Sequence, residues 1–174
     1  MNDPTSFELT VSLSEKHLKA IGRVMSHWSY LEWMAGQAVG DLLDLSVEEA
    51  NAVTSQMNLR PKLELFSLLF PGRCLHKDII NESSKIISEI TNAQEKRRLL
   101  AHGVWAKDHE GQTRLLKFYG GKNQINRINF MPVLMTEEEL EKIVNQVCGI
   151  ALLFPCWWQE KGRPSLIPSP YKPY

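Results

Sequence analysis

From residue 14 to residue 43 apolar side chains recur at Leu18, Ile21, Val24, Met25, Trp28, Leu31, Ala35, Ala38, Val39 and Leu42, in the steps of one, three and four residues that keep helical spacing. That spacing puts all of them on one stripe of a single long helix. An amphipathic helix of this length must bury its stripe against other elements, so the chain is committed to packed helices. Two more segments repeat the pattern. Ile79, Ile80, Ser83, Ile86, Ile87, Ile90 and Ala93 form one, and Leu140, Ile143, Val144, Val147, Ile150, Ala151 and Phe154 the other.

Local signals place the boundaries. Ser14, followed by Glu15 and Lys16, can open the first helix. Ser46-Val47-Glu48-Glu49 is a capping box that starts a shorter helix at about Val47, running to about Met57. After Arg60-Pro61, the residues Leu63, Leu65, Phe66, Leu69 and Phe70 suit a brief helix closed by Pro71-Gly72. The next long helix runs from His76 or Lys77 to about Gly103. Beyond it the period changes: 104–106, 114–119 and 125–130 read as strands separated by Glu110-Gly111 and Gly120-Gly121-Lys122-Asn123. Thr136-Glu137-Glu138-Glu139 is a second capping box, and Pro155 is expected to kink or end the helix that follows. Residues 1–13, with Phe7, Leu9 and Val11 alternating, read as an arm that either forms a short strand or packs on a neighbour.

With 174 residues the chain suits one domain with one core. The expectation is a mainly α fold: a helical domain over 1–160, with a small antiparallel β insertion (about 104–131) between the last two long helices. A tail over 161–174, carrying Pro164, Pro168, Pro170 and Pro173, is expected to be extended. Trp28, Leu31, Trp157 and Trp158 together suggest more large apolar surface than one small bundle hides, which favours a homodimer.

The formal net charge is zero, which disfavours a protein that coats nucleic acid through a broad cationic surface. Local imbalance is another matter. Residues 96–127 hold eight Lys and Arg against Asp108 and Glu110, a net +6 that the rest of the chain balances. A phosphate-binding site on an acidic body gives such a count, and so does a solvated strand pair with lysines on its edge. Cys74, Cys148 and Cys156 lack disulfide or zinc-ligand spacing and read as reduced, buried thiols. No metal or cofactor motif is present, and His17, His27, His76 and His109 read as ordinary surface or helix-face residues. No eighteen apolar residues run together, and no signal peptide opens the chain, so a soluble cytoplasmic protein without a membrane segment is expected.

Chemistry concentrates where the 77–103 helix runs out, in Ala93-Gln94-Glu95-Lys96-Arg97-Arg98-Leu99-Leu100-Ala101-His102-Gly103-Val104-Trp105. Cations in a last helical turn are favoured by the macrodipole by roughly 0.3–1 kcal/mol each, and Gly103 suits a C′ position, so a well-capped terminus explains part of the pattern. Arg97, however, continues the apolar stripe, which calls for an acidic partner, an anionic ligand or a helix end already in water.

The segment resembles the R-x4-6-H signature of the HEPN superfamily (higher eukaryotes and prokaryotes nucleotide-binding), with Arg97 and His102 enclosing four residues, and Ala101-His102-Gly103-Val104-Trp105 is similar to the family's A-H-G-x-W continuation. Arg98 departs from the Asn, Asp or His that commonly follows the arginine. Trp28-Ser29-Tyr30-Leu31-Glu32 resembles a W-x-x-L-E seen early in several HEPN-like bacterial proteins. The resemblance implies a HEPN-like helical bundle that pairs so that two motifs face one cleft. It implies RNA as partner and metal-independent RNA cleavage, within a toxin–antitoxin or defence system, with an antitoxin protein as a further partner. Arg97 would stabilise charge on the phosphorane and His102 would shuttle the proton, an imidazole having both protonation states available near neutrality. Lys96, Arg98, Trp105 and Glu32 would bind substrate: Trp105, like Phe118 or Tyr119, by stacking a base, and Glu32 by holding Arg97 or Arg98. The alternative is a catalytically silent HEPN-like dimerisation or interaction module, which Arg98 and the zero net charge favour. Five residues on a helix span about 140° in rotation, so Arg97 and His102 share a face only if the helix ends between them.

Overall fold

The computed structural model describes the backbone of residues 8–9, 13–119 and 129–166, and the side chains of 13–116 and 135–166. The chain is mainly helical, with a small antiparallel sheet between its last two long helices. The helices are α1 (Glu15–Leu42), α2 (Val47–Thr54), α3 (Leu59–Arg73), α4 (Lys77–His102) and α5 (Glu137–Trp157). The strands are β1 (Glu8–Leu9), β2 (Val104–Lys107), β3 (Thr113–Tyr119) and β4 (Asn129–Leu134), in the order β1-β2-β3-β4, all antiparallel. No helix among the described residues is long and apolar enough to cross a membrane.

The chain divides into two compact units, and residues of α1, α4 and α5 belong to both. The first unit comprises Met1–Met25 and Gln94–Val147. The second comprises Ser26–Ala93 and Cys148–Tyr174.

In the first unit, Ser14 opens α1 as its sequence suggests, the hydroxyl accepting from the His17 N–H at 3.3 Å. Thr136 and Glu139 close the expected capping box at α5, with reciprocal bonds of 3.2 and 3.1 Å. Ion pairs Lys16–Glu137 (2.5 Å) and Arg23–Glu141 (2.7 Å) join α1 to α5 on the exposed side, and Val24, Val144 and Val147 are buried. The last strand is described over Asn129–Leu134, the expected stretch 125–128 lying outside the described residues, and it contains Pro132, which is tolerated because β4 is the sheet's edge.

The turn between β2 and β3 is built by one carboxylate. Asp108 Oδ1 accepts from the backbone N–H groups of Glu110 (3.0 Å) and Gln112 (2.8 Å), while Oδ2 accepts from Arg114 Nε at 2.7 Å. Gly111 supplies the left-handed residue the turn needs, at φ 74°. Burial alone would raise the Asp108 carboxyl, but Arg114 and the two backbone donors outweigh it and hold it below the usual carboxylate range.

In the second unit, the face of α3 formed by Leu59, Lys62, Leu63, Phe66 and Phe70 is buried. Phe66 and Phe70 stack at 5.0 Å and meet Phe154, Trp157 and Trp158 edge-on or near it, at 5.1–6.2 Å. All five rings are at most 5 % exposed. This cluster explains two differences from the sequence reading. Pro155 neither ends nor breaks α5, which continues to Trp157 and then widens into a π-helical turn at Trp158–Gly162, because both tryptophans are held against α3. Pro71-Gly72 likewise does not close α3, since Phe70 anchors the turn before it and Arg73 the turn after. Arg73 Nη1 donates to the Leu42 carbonyl at 2.5 Å, and its guanidinium pairs with Asp44.

Trp28, Leu31, Trp157 and Trp158 are all buried within the one chain, so the surplus of apolar surface that favoured a dimer does not exist at those residues. Cys74 and Cys148 are buried free thiols, whereas Cys156 is exposed. The start of the expected tail is not extended: Lys161 pairs with Glu82 at 2.8 Å, Arg163–Ser165 form a 3-10 turn, and Leu166 bridges to Cys74. Its remainder, 167–174, lies outside the described residues, as do Phe7 and Val11 of the arm and the Gly120–Asn123 turn signal.

Stability from the Asp108 turn is present above the unfolded carboxylate value of about 3.9 and is lost as the pH falls through the lower folded value. In urea titrations wild type should exceed Asp108→Asn by a constant margin above about pH 5, a margin that closes below about pH 3. A margin indifferent to acid would contradict the role given to this carboxylate.

Candidate functional site

The end of α4 is positioned by a close approach of backbone to strand. Gly103 donates its N–H to the Leu99 carbonyl at 2.8 Å, completing the last turn. A Cβ on Gly103 would sit 2.5 Å from that carbonyl and 2.6 Å from Leu115 Cδ1 on β3. Gly103 is thus required for space, not for the left-handed conformation its sequence position suggested, since it has no positive φ. With no side chain there, only Gly103 separates the end of α4 from the start of β2, and Leu115 packs fully buried beside the helix terminus.

The helix does not end between Arg97 and His102 but runs through His102. The two side chains therefore leave α4 about 140° apart. Their burial agrees: Arg97 is half-buried with its Nε shielded from solvent, and His102 is exposed. Within one chain the pair does not converge on one point of the helix surface.

The flanking residues are distributed around the same turn. Lys96 is exposed and donates to Gln146 Oε1 on α5 at 2.6 Å. Arg98, 63 % exposed, bonds Glu95 at 3.1 Å, so the carboxylate it engages is three residues upstream on its own helix. Trp105 is half-buried on β2, and its ring stands edge-on to His17 at 5.6 Å. Packing therefore already occupies part of the ring proposed to stack a base. Glu32 is half-buried on α1 in the second unit, where it lines a cavity with Lys62 and Thr54. The side chains of Phe118 and Tyr119 lie outside the described residues.

Two cations of the +6 segment have carboxylate partners: Arg114 pairs with Asp108, already counted in that sum, and Arg98 with Glu95 just outside the segment. Among the described residues no group of three His, Cys, Asp or Glu side chains is placed to hold a metal ion.

Two buried residues that chemistry could use are not among the candidates from the sequence, where His17 reads as an ordinary surface or helix-face residue and Lys62 is not weighed. His17 is 4 % exposed, with Nδ1 2.6 Å from Ser14 Oγ and Nε2 3.4 Å from the Met135 carbonyl, which makes it a packed residue joining α1 to the start of α5. Lys62 is 6 % exposed. A signal for Lys62 was available, because 59, 62, 63, 66 and 70 keep helical spacing and put a lysine on the apolar face. Comparison with protein-family models, with curated proteins and with solved structures returned no match.

Because Gly103 is needed for space, Gly103→Ala should cost about 1–3 kcal/mol in urea unfolding as helix end and β3 separate. Gly149, within α5 and with nothing inside 4 Å, serves as the control. Gly149→Ala should stabilise by roughly 0.5–1 kcal/mol. Equal, small effects at both positions would show that the Leu99–Leu115 approach is not restrictive.

Proposed function

We propose that the chain is a HEPN-like RNA-binding protein that cleaves RNA without a metal, in a toxin or defence setting, at a cleft assembled from two copies. The observation that carries this reading is the divergence of Arg97 and His102 on an unbroken helix, with His102 exposed at its last position. A phosphate clamp and a proton shuttle must both reach one phosphodiester, so two residues turned about 140° apart can cooperate only across an interface. A two-fold pairing of α4 ends supplies that, Arg97 of one copy facing His102 of the other.

In the reaction the ribose 2′-OH attacks the adjacent phosphorus. His102 accepts its proton, and the guanidinium of Arg97 stabilises the added negative charge on the phosphorane oxygens. The bond to the 5′ oxygen then breaks, the leaving alkoxide takes a proton, and a 2′,3′-cyclic phosphate remains. The second reading is a silent pairing module, and the Arg98–Glu95 bond favours it, since it holds the residue after the motif arginine on its own helix.

An assay in EDTA on a mixed RNA pool decides. Wild type should leave cyclic-phosphate ends, and Arg97→Ala and His102→Ala should each lose about 10²–10⁴-fold in rate with unchanged circular dichroism. Mixing the two inactive variants should restore up to about a quarter of wild-type activity, because half of the pairs are mixed and each mixed pair keeps one intact site. Cleavage by wild type without restoration would place the site within one chain. No cleavage, with light scattering still reporting a dimer, would leave the silent module.

A further inference from the structure

A second site, independent of the α4 terminus, lies wholly within the second unit. We propose that the cavity headed by Lys62 binds a small phosphate-bearing ligand, the phosphate on Lys62 and the organic part against Trp33. The cavity measures about 670 Å³, and Glu32, Trp33, Asn51, Ser55, Asn58 and Lys62 are among its lining residues. It is an open cleft with room for a small organic ligand.

Lys62 carries the argument. Its side chain is buried, yet the ammonium's one hydrogen bond among the described residues is to the Glu32 backbone carbonyl, at 3.1 Å. An ammonium has three donors, and a buried cation is costly unless it is paired. The Glu32 carboxylate lines the same cavity but makes no ion pair with Lys62 among the described residues, so two of the ammonium's donors face the cavity without a contacting anion.

The rest of the wall is rich in donors. The first turn of α3 begins at Leu59 with no acidic residue, and Asn58 makes no side-chain cap bond to it. Two cations, Arg60 and Lys62, thus stand near the positive end of the helix dipole, and only Arg60 has a carboxylate, Glu64 at 2.8 Å. Asn51 uses its side-chain oxygen to accept from Gln37 Nε2 at 2.9 Å, which leaves its NH₂ to donate. Ser29 and Ser55 add hydroxyls. A tetrahedral phosphate, with several acceptor oxygens and full charge, answers this set better than a neutral ligand does. At the rim Trp33 is 47 % exposed, with its ring stacked on Tyr30 at 6.2 Å and 28°, a flat apolar platform beside the charged floor.

Glu32 opposes the phosphate, and that gives the proposal a test with a definite sign. Calorimetric titration of the full chain with inorganic phosphate and with phenyl phosphate should show both binding, phenyl phosphate the more tightly. Lys62→Met, which replaces a buried cation by an apolar chain of similar length, should weaken both by about tenfold or more. Glu32→Gln should tighten both, and Trp33→Ala should bring phenyl phosphate down to the level of inorganic phosphate. Thermal melts without ligand show whether each variant is folded. Should Lys62→Met not fold, the opposite effects of Glu32→Gln and Trp33→Ala still decide. Absence of binding by wild type, or weaker binding by Glu32→Gln, would overturn the assignment.

Discussion

One close approach fixes the geometry on which the functional reading rests: the backbone of Gly103 against the Leu99 carbonyl and the side chain of Leu115. Because no Cβ intervenes, α4 keeps its last turn through His102, and β2 begins at Val104 with no connecting loop. The rotation between Arg97 and His102 is then a property of a regular helix and not of an adjustable linker. Loosening this junction would free His102, at the terminus, while Arg97 stays fixed by the helix.

In the second unit the corresponding constraint is the cluster of Phe66, Phe70, Phe154, Trp157 and Trp158. Aromatic rings packed edge to face hold each other in orientation as well as in contact. They draw α5 past a proline and α3 past a Pro-Gly pair, either of which would end an unsupported helix. Packing here outweighs local propensity. The same face of α3 carries Lys62 into the interior, so the residue that heads the proposed phosphate site is buried as a consequence of how α3 is seated.

Much of this was legible in the residues. Long stripes of three- and four-residue spacing located α1, α4 and α5, and the two capping boxes at Ser46 and Thr136 marked helix starts to the residue. The hairpin at Glu110-Gly111 could be read because a left-handed glycine follows an Asp that bonds its own turn. The misread helix ends share one cause, tertiary contact overriding a local stop signal, as at Pro71 and Pro155. The site was legible as a motif but not as geometry. The sequence placed Arg97 and His102 within one signature, whereas whether they converge depends on where α4 stops. Nor could spacing show that Trp105 would meet His17, a contact between residues far apart in the chain.

The proposed RNA-binding surface is the α4 terminus. The most direct measurement is photo-crosslinking of the full chain to a 2′-O-methyl oligoribonucleotide carrying photoreactive uridines, which binds without being cleaved, followed by mass-spectrometric mapping of tryptic peptides. The account predicts adducts in peptide 99–107, which holds His102 and Trp105, and their loss when a short phosphate-bearing competitor RNA is added in excess. Adducts confined to other peptides, with 99–107 unmodified while the oligonucleotide is bound, would contradict it.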